Sequence, residues 1–270
     1  MNNVRAYFWP RQHAGLLLQM TQREILQRYR GSWLGMGWSV ITPVMMLAVY
    51  TFVFQSVFQA RWPGAVAGDS DGLHFALNLF AGLIFFTFFT DVLTRAPGVI
   101  AAQPNLVKKV VFPLHLLPWI AILSASFQAL ISLVVLLVGV FLMTGTLPDN
   151  VLFFPLLLVL FMPLLLGLAL GLSALGVYFT DAQHIVTILT APLMFLSPIF
   201  YPVSMLPEWA QEWIYLNPLT LIIELSRTVF LGSPWPDTPV LVLYGVISLA
   251  VALAGGILFY KLRRGFSDVL

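Results

Sequence analysis

Bond chemistry needs a nucleophile, a base or a metal cage, and the side chains that supply them are sparse in this chain of 270 residues. Cysteine is absent, which removes thiolate nucleophiles, disulfides and cysteine metal sites together. The 4 histidines, His13, His74, His115 and His184, are scattered with no HExxH or comparable ligand spacing, so no metal is assigned. The acids do not converge into a pair suited to general acid–base work, and no catalytic residue is assigned either. The phosphate-cradling pattern G-x-x-x-x-G-K-[ST] does not occur, nor does any Gly-Lys dipeptide, so the chain cannot hold ATP by that device. Two pairs of opposite charge at helical spacing are singled out. Asp91 and Arg95 are four apart with the acid first, the favourable order, and are read as structural; Glu224 and Arg227 are three apart.

A second group of residues has a different chemistry. Trp38, Thr42, Tyr50, Thr51 and Gln55 punctuate an otherwise apolar run, and Phe200 and Tyr201 follow much later. Rings whose faces meet C–H groups, beside neighbours that hydrogen-bond, suit contact with a polyhydroxylated molecule. Aromatic residues make up 14% of the chain, and packing against lipid accounts for many of them.

The elements that carry these residues are written in the composition. The chain is 60% hydrophobic and 9% charged, against roughly 25% charged in soluble domains, so it cannot clothe itself in polar surface and is built for lipid. A spanning helix needs about 20 apolar residues. Six segments approach that length, near 34–58, 73–94, 118–144, 151–178, 184–206 and 239–260. The expected fold is therefore all-α, an integral membrane protein of six transmembrane helices. The fifth segment contains Pro192, Pro198 and Pro202 and is expected to be broken or bent. With both termini cytoplasmic, 11 of the 13 basic residues lie on the inner side, all but Arg61 and Arg227, which orients the chain. The N-terminus lacks a cleavable apolar core and is kept as part of the mature protein.

Ahead of the first span, Leu18, Ile25 and Tyr29 share a helical stripe with Arg23 and Arg30 nearly opposite, which predicts an amphipathic interfacial helix. Gly167 and Gly171 form GxxxG in the fourth span and are read as internal packing. Residues 207–237 are amphiphilic and broken by Pro218, Gly232, Pro234 and Pro236, which predicts a short re-entrant outer hairpin between the fifth and sixth spans. One domain covers 1–270: a cytoplasmic interfacial segment at 1–33, helices one to five at 34–206, the outer hairpin at 207–237, and helix six with a cytoplasmic tail at 238–270.

Three stretches carry a family resemblance. RYRGSWLG at 28–35, followed by Trp38 and Pro43, could be generic anchoring, with arginines and tryptophans at the headgroups and glycines permitting close backbone approach. Its order, with NLVKKVVFPLHLLP at 105–118 and SPIFYPVSMLPEWAQEWIYLNPLTLIIELSR at 197–227, resembles the permease subunits of polysaccharide ABC exporters, the type 2 permeases that handle O-antigen, teichoic acid or capsule. The likeness covers nearly the whole chain. It implies a homodimer enclosing a channel for a lipid-linked polysaccharide, foremost O-antigen, in the bacterial cytoplasmic (inner) membrane. It also implies two copies of a separate nucleotide-binding ATPase that uses ATP and Mg, while this chain binds no cofactor and no nucleic acid and is not an enzyme. By the same likeness, 207–230 corresponds to the outer gate helices, with Asn217 and Pro218 at their turn; Glu224 and Arg227, by their own spacing on one helical face, are read as a structural pair or a latch. Coupling to the ATPase is expected at Arg28, Arg30, Lys108 and Lys109, and substrate contact at Trp38, Thr42, Tyr50, Gln55, Phe200 and Tyr201. The competing readings are a drug or small-lipid ABC exporter permease and, from another class, an integral membrane glycosyl or acyl transferase.

Overall fold

The computed structural model describes residues 7–8, 10–58, 71–108, 112–147, 150–231, 235–236 and 238–270. Among them every regular element is helical. Helix α1 is Ala14–Tyr29; α2 is Trp38–Thr51, prolonged by a π-helical stretch at Phe52–Val57; α3 is Asp71–Arg95. Two short helices follow, α4 at Gly98–Ala101 and α5 at Pro104–Lys108. Next come α6 at Leu116–Thr144, α7 at Phe154–Tyr178 and α8 at Ala182–Leu196. The chain finishes with α9 at Glu208–Ile214, α10 at Thr220–Leu231, α11 at Thr238–Leu262 and α12 at Phe266–Val269.

Among the described residues, five stretches are long and apolar enough to cross a membrane: Gly35–Val57, Phe75–Arg95, Leu116–Leu142, Val151–Tyr178 and Thr238–Val269. The segment expected at 184–206 differs. Its helix, α8, has 15 residues, about 22 Å at 1.5 Å per residue, and it stops where Ser197 turns extended (φ −97°, ψ 144°). A residue before proline is pushed out of the α region, and Pro198 follows Ser197 directly. The break therefore falls at Ser197, whereas Pro192 is carried inside α8.

Helix α3 is the centre of the bundle. Its apolar residues occupy all faces, which marks a helix buried all round, and Phe85, Phe88 and Phe89 meet Phe154 or Phe161 of α7 at ring separations of 4.9–6.0 Å. Helices α7 and α11 cross where Gly167 meets Gly255: a Cβ on Gly167 would overlap the Val251 carbonyl, and one on Gly255 would overlap the Gly167 carbonyl. The GxxxG stripe is thus internal packing, as read. The glycines of the opening stretch serve another purpose. A Cβ added to Gly31 or Gly35 would meet nothing within 4 Å, and these residues instead adopt φ of +86° and +50°. They shape the turn between α1 and α2, which corrects the close-approach reading.

Candidate functional site

Helix α1 packs along α6, with Leu17 and Thr21 buried. The row that faces the bundle runs Leu17, Thr21, Glu24 and Arg28, while Leu18 of the expected apolar stripe stands 65% exposed. Charge partners decide which face turns inward. Arg95, at the end of α3, donates from Nη1 to Glu24 Oε1 at 2.7 Å and from Nη2 to Asp91 Oδ2 at 2.8 Å. It also donates to the Asp91 carbonyl, the Ser124 hydroxyl and the Ala121 carbonyl at 3.0–3.1 Å. Arg28 reaches the same Asp91 Oδ2 at 3.2 Å. Two acids and two arginines from α1 and α3 are thereby joined over the first turns of α6, and their charges cancel. The Asp91–Arg95 pair was legible from its spacing; Glu24, 71 positions from Arg95, was not.

One turn further along, the Tyr29 hydroxyl donates to Gln128 Oε1 at 2.8 Å and Gln128 Nε2 donates to the Ser39 carbonyl at 2.9 Å. Gln128 of α6 therefore staples the end of α1 to the start of α2, closing the glycine turn. The staple and the charge cluster together form the floor of a groove between α2, α3 and α6, with a volume of about 290 Å³.

Trp38, Thr42 and Tyr50 from the expected substrate-contact set line this groove beside Arg28, with Phe80, Phe88 and Thr87 opposite. Gln55 lies beyond it, exposed on the π-helical stretch. Phe200 and Tyr201 belong to a different place, the unwound chain after α8. There Phe200 stacks on Phe195 with ring centres 5.8 Å apart, and the Tyr201 hydroxyl donates to the Phe195 carbonyl at 3.0 Å. Among the residues expected to couple to an ATPase, Arg30 is exposed in the glycine turn and Lys108 is exposed at the end of α5, while Lys109 lies outside the described residues. Sequence reading missed Thr87, Gln128 and Ser132 of the groove. The available signal was Thr87 four residues before Asp91, one helical face carrying two polar groups in an apolar helix.

The hairpin residues gather around the break after α8. Asn217 Nδ2 donates to the Leu196 carbonyl at 3.2 Å and to the Ser197 hydroxyl at 2.8 Å, and its Oδ1 accepts from the Leu219 N–H at 2.9 Å, setting the turn that holds Pro218. Arg227, 5% exposed, donates to the carbonyls of Pro198, of Ile199 at 2.9 Å and of Tyr201 at 3.4 Å. Glu224 accepts from the Tyr215 hydroxyl at 2.7 Å. Each member of the expected pair thus has a partner outside its own helix, and Arg227 satisfies the carbonyls that the break releases.

Among the described residues, an all-helical bundle with five helices of spanning length and a groove of rings and hydroxyls between three of its helices points to a class: a multi-pass membrane protein. Comparison with known proteins narrows it. Residues 15–231 match the family described as ABC-2 type transporter, and the chain belongs to that family. It is similar to the O-antigen export system permease protein RfbA of Myxococcus xanthus, 28% identical over 260 residues, covering 95% of this chain and 96% of the relative. A Klebsiella pneumoniae protein of the same name is 27% identical over 259 residues (94% and 95%). The polysialic acid transport protein KpsM of Escherichia coli is 27% identical over 240 residues (86% and 88%).

Proposed function

We propose that this chain is the channel-forming permease of an exporter that moves a lipid-linked polysaccharide, an O-antigen, outward across the bacterial cytoplasmic membrane. The observation that carries this reading is similarity from end to end with relatives named for O-antigen export. In the working assembly two copies of the chain enclose the channel, and two copies of a separate ATPase, using ATP and Mg, drive it from the cytoplasmic side. The chain itself makes and breaks no bonds.

In this reading α8 completes a set of six spans, α9 and α10 form the outer re-entrant hairpin, and both termini are cytoplasmic, with α1 beside the inner headgroups. Trp38, Thr42 and Tyr50 contact the glycan along the groove, and Gln55, Phe200 and Tyr201 continue the contact outward. Arg28, Arg30, Lys108 and Lys109 pass motion from the ATPase. Asn217, Pro218, Glu224 and Arg227 hold the outer gate, with Arg227 releasing the carbonyls after α8 as the exit opens. The test is purification with the ATPase partner, reconstitution in liposomes, and measurement of ATP hydrolysis with different lipid-linked glycans added inside and out. Stimulation of several-fold by a lipid-linked O-antigen, with the glycan recovered on the far side, is the expected result. Stimulation by drugs or short lipids alone overturns it.

A further inference from the structure

Helix α3 is sealed between Phe75 and Val92 except at three residues, Thr87, Thr90 and Asp91. Thr90 turns back on its own helix, donating to the Phe86 carbonyl at 3.0 Å. Thr87 and Asp91, one turn apart, face the groove. Thr42 of α2 and Ser132 of α6 join them there. In an apolar helix a Ser or Thr hydroxyl is ordinarily satisfied by the carbonyl one turn back, as where Thr94 donates to the Thr90 carbonyl at 2.7 Å and Ser126 to the Ile122 carbonyl at 2.8 Å; Thr51, beside the groove residue Tyr50, is an exception. The hydroxyls of Thr42, Thr87 and Ser132 make no such bond and have no other partner among the described residues. Asp91 is similarly half engaged. Its Oδ2 is shared by Arg95 and Arg28, whereas its Oδ1 has only a 3.5 Å contact to Arg28.

Three unengaged hydroxyls and one open carboxylate oxygen, contributed by three helices to one groove, are costly in a low-dielectric setting unless something hydrogen-bonds them. An acyl chain cannot. An anion gains nothing net either, because Glu24, Arg28, Asp91 and Arg95 sum to zero charge. Given these partners and the flanking Trp38 ring, we infer that the inner end of the groove is a sugar-hydroxyl subsite: Thr42, Thr87, Ser132 and Asp91 Oδ1 hydrogen-bond an uncharged glycosyl unit lying against Trp38. A cavity of about 290 Å³ holds a short part of a polymer, near the lower end of the ~300–1,000 Å³ range of small-molecule sites. The inference rests on the glycan-export reading and names the groups that distinguish sugar from lipid tail.

The chain has no cysteine, so Met46→Cys places a single thiol in the groove wall. In micelles of an octaethylene glycol dodecyl ether, its alkylation by a maleimide is measured against rising mole fractions of dodecyl maltoside or dodecyl phosphate, which share the tail and differ in the head. Protection by the maltoside alone is expected. Thr87→Val with Ser132→Ala should raise the half-protecting mole fraction about tenfold, equivalent to about 1.4 kcal/mol; Asp91→Asn and Thr42→Val should each raise it several-fold, every variant being measured against its own unprotected alkylation rate. Equal protection by both amphiphiles, stronger protection by the phosphate, or unchanged protection in the double variant overturns the subsite. Maltoside protection that persists in a chain exporting no glycan with its ATPase would sink the export reading and leave the subsite standing.

Discussion

His115 stands just before α6, outside the spanning stretch, and is 7% exposed. The Tyr7 ring lies 4.7 Å away, the His13 ring 6.4 Å away, and Arg263 sits over Tyr7 at 5.7 Å. Burial, and then the nearby His13 and Arg263, hold its imidazole down at about 4, against an ordinary 6.5. The folded chain therefore keeps this group neutral where the unfolded chain protonates it. Stability from this residue is fully present above about pH 6.5 and is lost as pH falls toward 4, by up to about 3 kcal/mol. Thermal unfolding in detergent should show a midpoint that drops between pH 7.5 and 5, and His115→Phe, which keeps the ring contact with Tyr7, should flatten that drop. An unchanged slope in the variant refutes the assignment. The sequence displayed four scattered histidines and no reason to single this one out, because its neighbours come from both ends of the chain. Asp91 and Arg95 were readable for the opposite reason, since their partnership is local and obeys helical spacing.

At the scale of elements, patterns held wherever a helix is decided by its own residues. The apolar runs at 118–144 and 151–178 became α6 and α7 almost as drawn, and the GxxxG stripe found an internal partner. What stayed hidden was the partner itself: nothing in Gly255 announces Gly167, 88 positions earlier by difference of residue numbers. A hydrophobic stripe does not reveal how α1 meets the bundle, because that face is set by Glu24 and Arg28 reaching α3. The crossing of α7 and α11 makes a sharp prediction. Gly167→Leu drives a side chain into the backbone of Val251 and Ala252, with no flexible tip to yield; separating the two helices exposes contacts worth about 3 kcal/mol or more. Gly245→Ala, on the same α11 with nothing within 4 Å, is the matched control. Size-exclusion profiles after solubilisation should show Gly167→Leu largely aggregated and Gly245→Ala indistinguishable from the parent chain. A monodisperse, equally stable Gly167→Leu would mean that α11 does not seat against α7 as described.

Across the whole molecule, the end of the bundle opposite the hairpin is knitted from distant parts of the chain. Trp119 Nε1 donates to the Tyr7 carbonyl at 2.7 Å, the Tyr178 hydroxyl donates to the Leu262 carbonyl at 2.8 Å, and α12 rests against α5. Arg95 ends α3, and α4 and α5 follow it in the chain, with Lys108 at the end of α5. The charge cluster pins α1 through Glu24, and α1 ends in Arg28 and Tyr29, which border the groove. A push on α5 thus has a packed route through α4, which rests on α6 and α7, toward the groove floor. Lys108 is exposed, and exposed lysines near a membrane are also plain retention signals, so the two roles must be separated by what they change. Retention governs insertion, and the remaining inner basic residues are ample for it. Coupling governs ATP use. In the proposed assembly, replacing Lys108 and Lys109 by alanine together is therefore expected to leave membrane insertion as it was, while glycan-stimulated ATP hydrolysis by the proposed ATPase partner falls several-fold. Glu24→Gln, at a position outside the proposed ATPase contacts, should lower the same stimulated rate without altering the basal rate, because it loosens the pin between α1 and Arg95. Full stimulation in both variants would show that motion reaches the groove by another path.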